Sequence, residues 1–116
     1  MLVSKLFTFD AAHQLPDYDG PCRDLHGHTF HLTVTIRHPV QEDGLAYDFG
    51  DLKKVVKEHV VDRLDHSYLN DLIRVPSAEN LTLWIWRTLS EVLPVELHEI
   101  KLAETPTSYV TYRGEE

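Results

Sequence analysis

An α+β fold in the order ββααββ is what this 116-residue sequence predicts, and three observations carry the prediction. Two stretches near the start alternate apolar and polar residues, the period of a half-buried strand. Two stretches in the middle change to helical period, and two further strand-like runs close the chain. Nothing in that order requires a parallel crossover. A four-stranded antiparallel sheet follows, with two helices inserted between strands 2 and 3 and packed on one face. No internal repeat or second apolar pattern divides the chain, so residues 1–116 read as one domain.

The first strand runs from Leu2 to His13, with Val3, Phe7, Phe9, Ala11 and His13 on one face and Lys5 as the exception. A loop with Pro16, Gly20 and Pro21 follows. The second strand places His28, Phe30, Leu32, Val34 and Ile36 on one face and Thr29, His31, Thr33, Thr35 and Arg37 on the other. After turn chemistry at 38–44, the first helix carries a stripe of Phe49, Leu52, Val55, Val56, Val60 and Leu64, with Asp48 as N-cap and Asp51 in its first turn. Residues 64–76 read as a connection. Ser77 caps the second helix, whose buried stripe is Leu81, Trp84, Ile85, Leu89, Val92 and Leu93, and Pro94 ends it. "VELHEIKLAE" and "SYVTYR" are the last two strands.

Composition narrows the function. A formal charge of −8 argues against nucleic-acid binding, which needs basic phosphate contacts. It does not exclude a small anionic substrate, because a bound metal ion inverts the local field. No apolar run approaches the ~18 residues of a membrane span, and "MLVSKLFTFD" reads as a strand rather than a signal peptide. The single cysteine makes no intramolecular disulfide, which points to a reducing cytoplasm.

The eight histidines are the more informative feature, five of them between His13 and His38. His26 and His28 leave the same face of an extended segment about 6–7 Å apart, so two imidazoles can converge on one ion. If the first two strands pair antiparallel with His13 opposite His28, then Phe9 meets Leu32 and Phe7 meets Val34. One register then aligns both apolar faces and brings His13 beside the pair. Gly27 between them lets the backbone approach closely or bend. Three neutral imidazoles suit zinc and leave a fourth position open, as catalytic zinc sites do. An isolated His-x-His is more often two solvated side chains; the third histidine in register and the nearby cysteine favour the metal. His31 and His38 read as surface residues, and His59 and His98 as structural.

Around this triad lies a candidate acid–base set. Cys22 is either a small inert residue or, beside a cationic centre, a thiolate that serves as nucleophile or base. Asp65 next to His66 can orient the ring for proton relay, although such pairs are common in helix-terminal turns. Glu104 ends an apolar strand face and needs a partner. That partner is a structural Arg or Lys, or the amidine-like edge of a flat heterocycle gripped by paired hydrogen bonds.

Taken together, "FDAAHQL", "CRDLHGHTFHLTV", "YDFGDLKKVV", "RLDHSYLND", "SAENLTLWIW" and "AETPTSYVTYRGE" resemble, in that order, the 6-pyruvoyltetrahydropterin synthase/6-carboxytetrahydropterin synthase family. The resemblance covers essentially the whole chain, and Cys-x-x-x-His-Gly-His combined with Leu-Asp-His and Glu-Thr is specific where each piece alone is not. It implies a tunnelling fold: trimers closing into a barrel, two trimers stacking into a homohexamer, and active sites between subunits. It implies zinc held by His13, His26 and His28, Cys22 as the proton-abstracting base, Asp65 and His66 as its relay, and Glu104 as the anchor of the pterin ring. The implied substrate is 7,8-dihydroneopterin triphosphate.

The three-residue gap between Cys22 and His26 resembles the bacterial 6-carboxytetrahydropterin synthases of queuosine biosynthesis, lyases that release acetaldehyde and triphosphate. The animal pyruvoyl enzymes typically have a longer gap, and members turned toward folate synthesis carry glutamate in place of the cysteine. Ser77-Ala78-Glu79 departs from relatives that have two adjacent hydroxyl residues before the glutamate. Lys5, Arg23 and Arg113 are candidates for triphosphate binding. Pyruvoyl formation on the same substrate, and a noncatalytic zinc- or pterin-binding module, are the competing readings.

Overall fold

The computed structural model of the chain describes residues 1–15, 20 and 24–116. β1 (Leu2–His13) and β2 (His26–Arg37) pair antiparallel along their whole lengths, from Leu2 opposite Arg37 to His13 opposite His26. This register corrects the expected one by two residues: His28 faces Ala11, and Phe9 faces Phe30. A slide of two residues keeps every side chain on its original face, so alternation fixes parity and leaves the register open. Two features select the observed register. It leaves neither strand end unpaired, and it spares Leu2 a position opposite Pro39, which has no N–H for a ladder. It also stacks the Phe9 and Phe30 rings with centroids 5.0 Å apart.

α1 (Phe49–Val56) begins at Asp48, whose carboxylate accepts from the Gly50 and Asp51 N–H groups at 2.7 and 3.1 Å. A wider π turn (Lys57–Val61) leads into the short α2 (Asp62–Leu64). Leu52, Val56, Val60 and Leu64 are fully buried along this rod, each contributing about 1.5–3 kcal/mol of transfer free energy. Phe49, the first residue of α1 and expected in the same stripe, is instead exposed.

The segment expected to be a plain connection adds a strand. β3 (Ser67–Tyr68) pairs parallel with Ala11 and Ala12 of β1, and a 3₁₀ turn (Leu69–Asp71) then buries Leu69. The sheet therefore has five strands in the order β3-β1-β2-β4-β5, with one short parallel pair. A two-residue strand is too short to show any period, which is why the sequence hides it.

α3 (Ala78–Val92) is capped by Ser77, whose hydroxyl accepts from the Asn80 N–H at 3.1 Å. It buries Leu81, Thr82, Ile85 and Leu89, with Trp84 and Val92 partly covered. β4 (Glu96–Thr105) and β5 (Ser108–Tyr112) complete the antiparallel part of the sheet. The helices cover one face, where Phe9, Phe30, Leu32, Val34, Ile100 and Leu102 meet them. Among the described residues no helix is long and apolar enough to cross a membrane.

Candidate functional site

The β1–β2 pair ends with His13 and His26 directly opposite each other and His28 two residues along on the same face. Their ring centroids lie 4.5 Å (His13–His26), 4.8 Å (His26–His28) and 5.2 Å (His13–His28) apart. Each ring offers one nitrogen within 4.8 Å of the others. Phe30 closes the inner side, edge-on to His13 and His28. The expected triad thus converges, although through a register two residues from the expected one. A Cβ at Gly27 would lie 3.6 Å from the Ala11 carbonyl oxygen, an ordinary contact. Close backbone approach is therefore not what glycine supplies here.

The hydrogen bonds fix the tautomers. The fully buried His13 donates from Nδ1 to the Pro76 carbonyl at 2.7 Å, and His26 donates from Nδ1 to the Asp24 carbonyl at 2.6 Å. A carbonyl only accepts, so each neutral ring turns a bare lone pair at Nε2 toward the centre. Those two nitrogens are 2.9 Å apart. His28 Nε2 is the one buried side-chain nitrogen or oxygen without a hydrogen-bond partner among the described residues. Burial pulls His28 below the ordinary histidine pKa and His13 and His26 push the same way, while the Glu104 carboxylate opposes them. Three converging imidazoles, two of them with the outer nitrogen anchored on a main-chain carbonyl, match the donor set of a histidine metal site.

Glu104, at the end of β4, brings Oε1 to 3.6 Å from His13 Nε2, with its side chain about one-fifth exposed. Among the described residues no Lys or Arg pairs with it, so the structural-cation alternative finds no support.

Asp65 and His66 sit where α2 turns into β3. Asp65 Oδ2 accepts from His66 Nδ1 at 3.0 Å, and Oδ1 accepts the Asp10 N–H at 2.9 Å. That backbone bond, followed by the His66 ring, holds the Asp65 carboxyl below its usual pKa. His66 adopts φ +58° and donates its own N–H to the Asp10 carbonyl at 2.6 Å. On the sheet surface Thr29, directly opposite Asp10, donates to the Asp10 carboxylate at 2.5 Å. His66 and His28 both line an open cleft of about 490 Å³, together with Asp10, Gly27, Thr29 and Ser67.

A model of the family described as 6-pyruvoyl tetrahydropterin synthase matches residues 2–115. The chain belongs to this family. The 6-carboxy-5,6,7,8-tetrahydropterin synthase of Synechocystis sp. is 38% identical over an alignment of 118 positions, covering 96% of this chain and 92% of that protein. The 6-pyruvoyl tetrahydrobiopterin synthase of Dictyostelium discoideum is 41% identical over 102, covering 83% and 76%. The solved 6-pyruvoyl tetrahydropterin synthase of Caenorhabditis elegans superposes with a TM-score of 0.90 at 27% identity, over 99% of this chain and 96% of that one. The tunnelling fold is the fold of this chain.

In this family member, Cys22 and Arg23 lie outside the described residues. Lys5 is eight strand positions from His13, about 26 Å along β1, and Arg113 is paired with Glu99 at 2.8 Å. Neither is brought to the triad of its own chain. The sequence reading missed the carbonyls of Pro76 and Asp24 and the Asp10–Thr29 pair. Main-chain acceptors carry no side-chain signature, and only the true register sets Asp10 against Thr29. His31 is exposed, and His38, His59 and His98 are half-buried, away from the triad cluster.

Proposed function

We propose that this chain is a zinc-dependent lyase that converts 7,8-dihydroneopterin triphosphate to 6-carboxy-5,6,7,8-tetrahydropterin, releasing acetaldehyde and triphosphate, as in queuosine biosynthesis. One observation carries the reading. Three inward-facing imidazole nitrogens converge, one of them buried and unpartnered, in a chain that aligns along nearly its full length with a named 6-carboxytetrahydropterin synthase.

Zinc held by His13, His26 and His28 would supply Lewis acidity toward the substrate's side-chain hydroxyls and acidify the adjoining carbons. Cys22 takes the carbon-bound proton as thiolate, whose formation a neighbouring cation favours. His66, oriented through Nδ1 by Asp65, returns protons from Nε2. Glu104 accepts paired N–H groups from the pterin ring and so fixes the reacting carbon within reach of the base.

Residues 1–116 act as one domain, in the cytoplasm, where the lone thiol stays reduced. Six copies assemble as two stacked trimers with sites between subunits. β1 from Leu2 to Asp10 has no strand partner on its outer side among the described residues, and neither has β5, so both edges are available for joining copies.

The test is incubation of zinc-loaded protein with dihydroneopterin triphosphate and mass identification of products. Acetaldehyde and the 6-carboxy product support the reading. The 41% identity to the Dictyostelium enzyme favours a second reading, pyruvoyl formation, for which triphosphate and a 6-pyruvoyl product appear without acetaldehyde. Cys22→Ala is expected to keep its zinc and lose turnover. Normal activity in that variant removes the thiolate from the mechanism.

A further inference from the structure

We infer that Glu104 is a fourth, exchangeable ligand of the metal ion held by His13, His26 and His28, and that it leaves the ion for the ring of an arriving pterin. The inference rests on the reading above, that the triad holds a metal and the substrate is a pterin.

The geometry begins with a slip in the sheet. The β4–β5 ladder changes register between Ala103 and Thr105, and the β2–β4 ladder stops at His31 opposite Ala103. Glu104 is left outside both ladders, the kind of irregularity that re-aims a side chain beside a functional site. Its carboxylate comes to rest 3.6 Å from His13 Nε2. That nitrogen carries a lone pair, because His13 Nδ1 holds the proton bonded to Pro76. An ionised carboxylate also has only lone pairs to offer.

Protons satisfy only part of the arrangement. A single proton on His13 Nε2 can point at His26 Nε2, 2.9 Å away, or at Glu104, and not at both. Either choice leaves His28 Nε2 buried with nothing. One cation accommodates the three imidazole nitrogens, which lie within 4.8 Å of one another, and Glu104, beside His13, would close on the same ion from that side. Donor atoms around a tetrahedral ion with bonds of 2.0–2.1 Å lie about 3.3 Å apart. The observed 2.9 and 3.6 Å fall on either side of that value. An N₃O set with one carboxylate is a normal zinc complement, and the carboxylate's charge already acts on His28.

A site closed by four protein ligands has no room for substrate hydroxyls until one ligand departs. Glu104 is the one with an alternative partner. The amidine-like edge of a pterin offers it two N–H groups in the plane a carboxylate accepts best. Ring recognition and opening of the ion then become one event. A ligand with the right hydroxyls and no such ring would meet a closed centre.

Cobalt(II) substitution tests this, because its visible spectrum reports ligand identity and number where zinc is silent. Unmodified protein and Glu104→Gln are each expected to take up cobalt, with different d–d bands. In chelator competition Glu104→Gln is expected to hold the ion roughly tenfold or more weakly, and Glu104→Asp to fall between. Pterin without a side chain at carbon 6 has no hydroxyls to reach the ion. It is expected to shift the spectrum of the unmodified protein toward that of Glu104→Gln and to leave Glu104→Gln unchanged. This arm needs no variant to fold. Superimposable spectra and equal affinities overturn the inference and leave the triad and the pterin chemistry standing, as does a pterin-induced shift in Glu104→Gln. Failure of every form to bind cobalt removes the metal reading and this inference together.

Discussion

Replacing His28 by leucine removes a proposed metal ligand and, in the same stroke, the one buried polar side-chain atom without a partner among the described residues. The two consequences have opposite signs. Without metal, an unsatisfied buried nitrogen costs about 1–3 kcal/mol. A leucine of similar size packs against Phe30, whose ring centroid is 5.6 Å from that of His28. Metal-free His28→Leu should therefore be more stable than the metal-free parent by about 1–2 kcal/mol, or roughly 4–10 °C in Tm for a chain of this length. With zinc at a hundred times its Kd, the parent gains about 2.7 kcal/mol and the variant gains nothing. The order reverses, and the parent leads by about 1 kcal/mol. Thermal unfolding at fixed chain concentration, near pH 8, in chelator and then in excess zinc, reads both halves. A parent more stable than His28→Leu in chelator would show that the nitrogen is satisfied without metal. A parent indifferent to zinc would show that the triad does not bind it.

His66→Gly relieves φ +58°, worth about 1–2 kcal/mol for an L residue, against about 0.5–1 kcal/mol of added chain entropy. Stability should stay level or rise by up to about 1 kcal/mol while turnover falls on the order of a hundredfold or more; equal turnover would exclude the ring from proton transfer. Ser77→Ala removes the α3 cap and should lower the urea-derived stability by about 1 kcal/mol with an unchanged slope. Because Asp65 titrates lower in the folded chain than in the unfolded one, the unfolded state binds more protons between the two values. Its stabilising contribution is complete above about pH 4 and is lost as pH falls through the folded value. Urea midpoints should thus show the gap between parent and Asp65→Asn constant above about pH 4 and shrinking below it. A gap that ignores pH there would contradict the hydrogen bonding at Asp65.

The extent of β1, the caps at Asp48 and Ser77 and the faces of the strands were legible because each depends on local pattern. Register was legible only to parity, since a slide of two residues exchanges Phe30 for Leu32 opposite Phe9 without moving either to the other face. The π turn at Lys57–Val61 was hidden because a hydrogen bond that slips by one residue alters no composition. At the site, His-x-His spacing disclosed His26 and His28, and antiparallel pairing of the first two strands added His13, although at a register two residues from the true one. The triad's orienting partner Pro76 lies 63 residues from His13 and acts through its main chain, so no side-chain pattern announces it. Glu104 was legible as a carboxylate in need of a partner, and only folding placed it beside His13 rather than a lysine or arginine.

Metal content decides most directly whether three imidazoles grip one ion. Purified protein, stripped and reloaded with zinc, then freed of excess, should retain one zinc per chain by elemental analysis, and alanine at His13, His26 or His28 should each abolish retention while the chain stays folded. Protein that retains no zinc, or a His26→Ala variant that holds it as tightly as the parent, would contradict this reading.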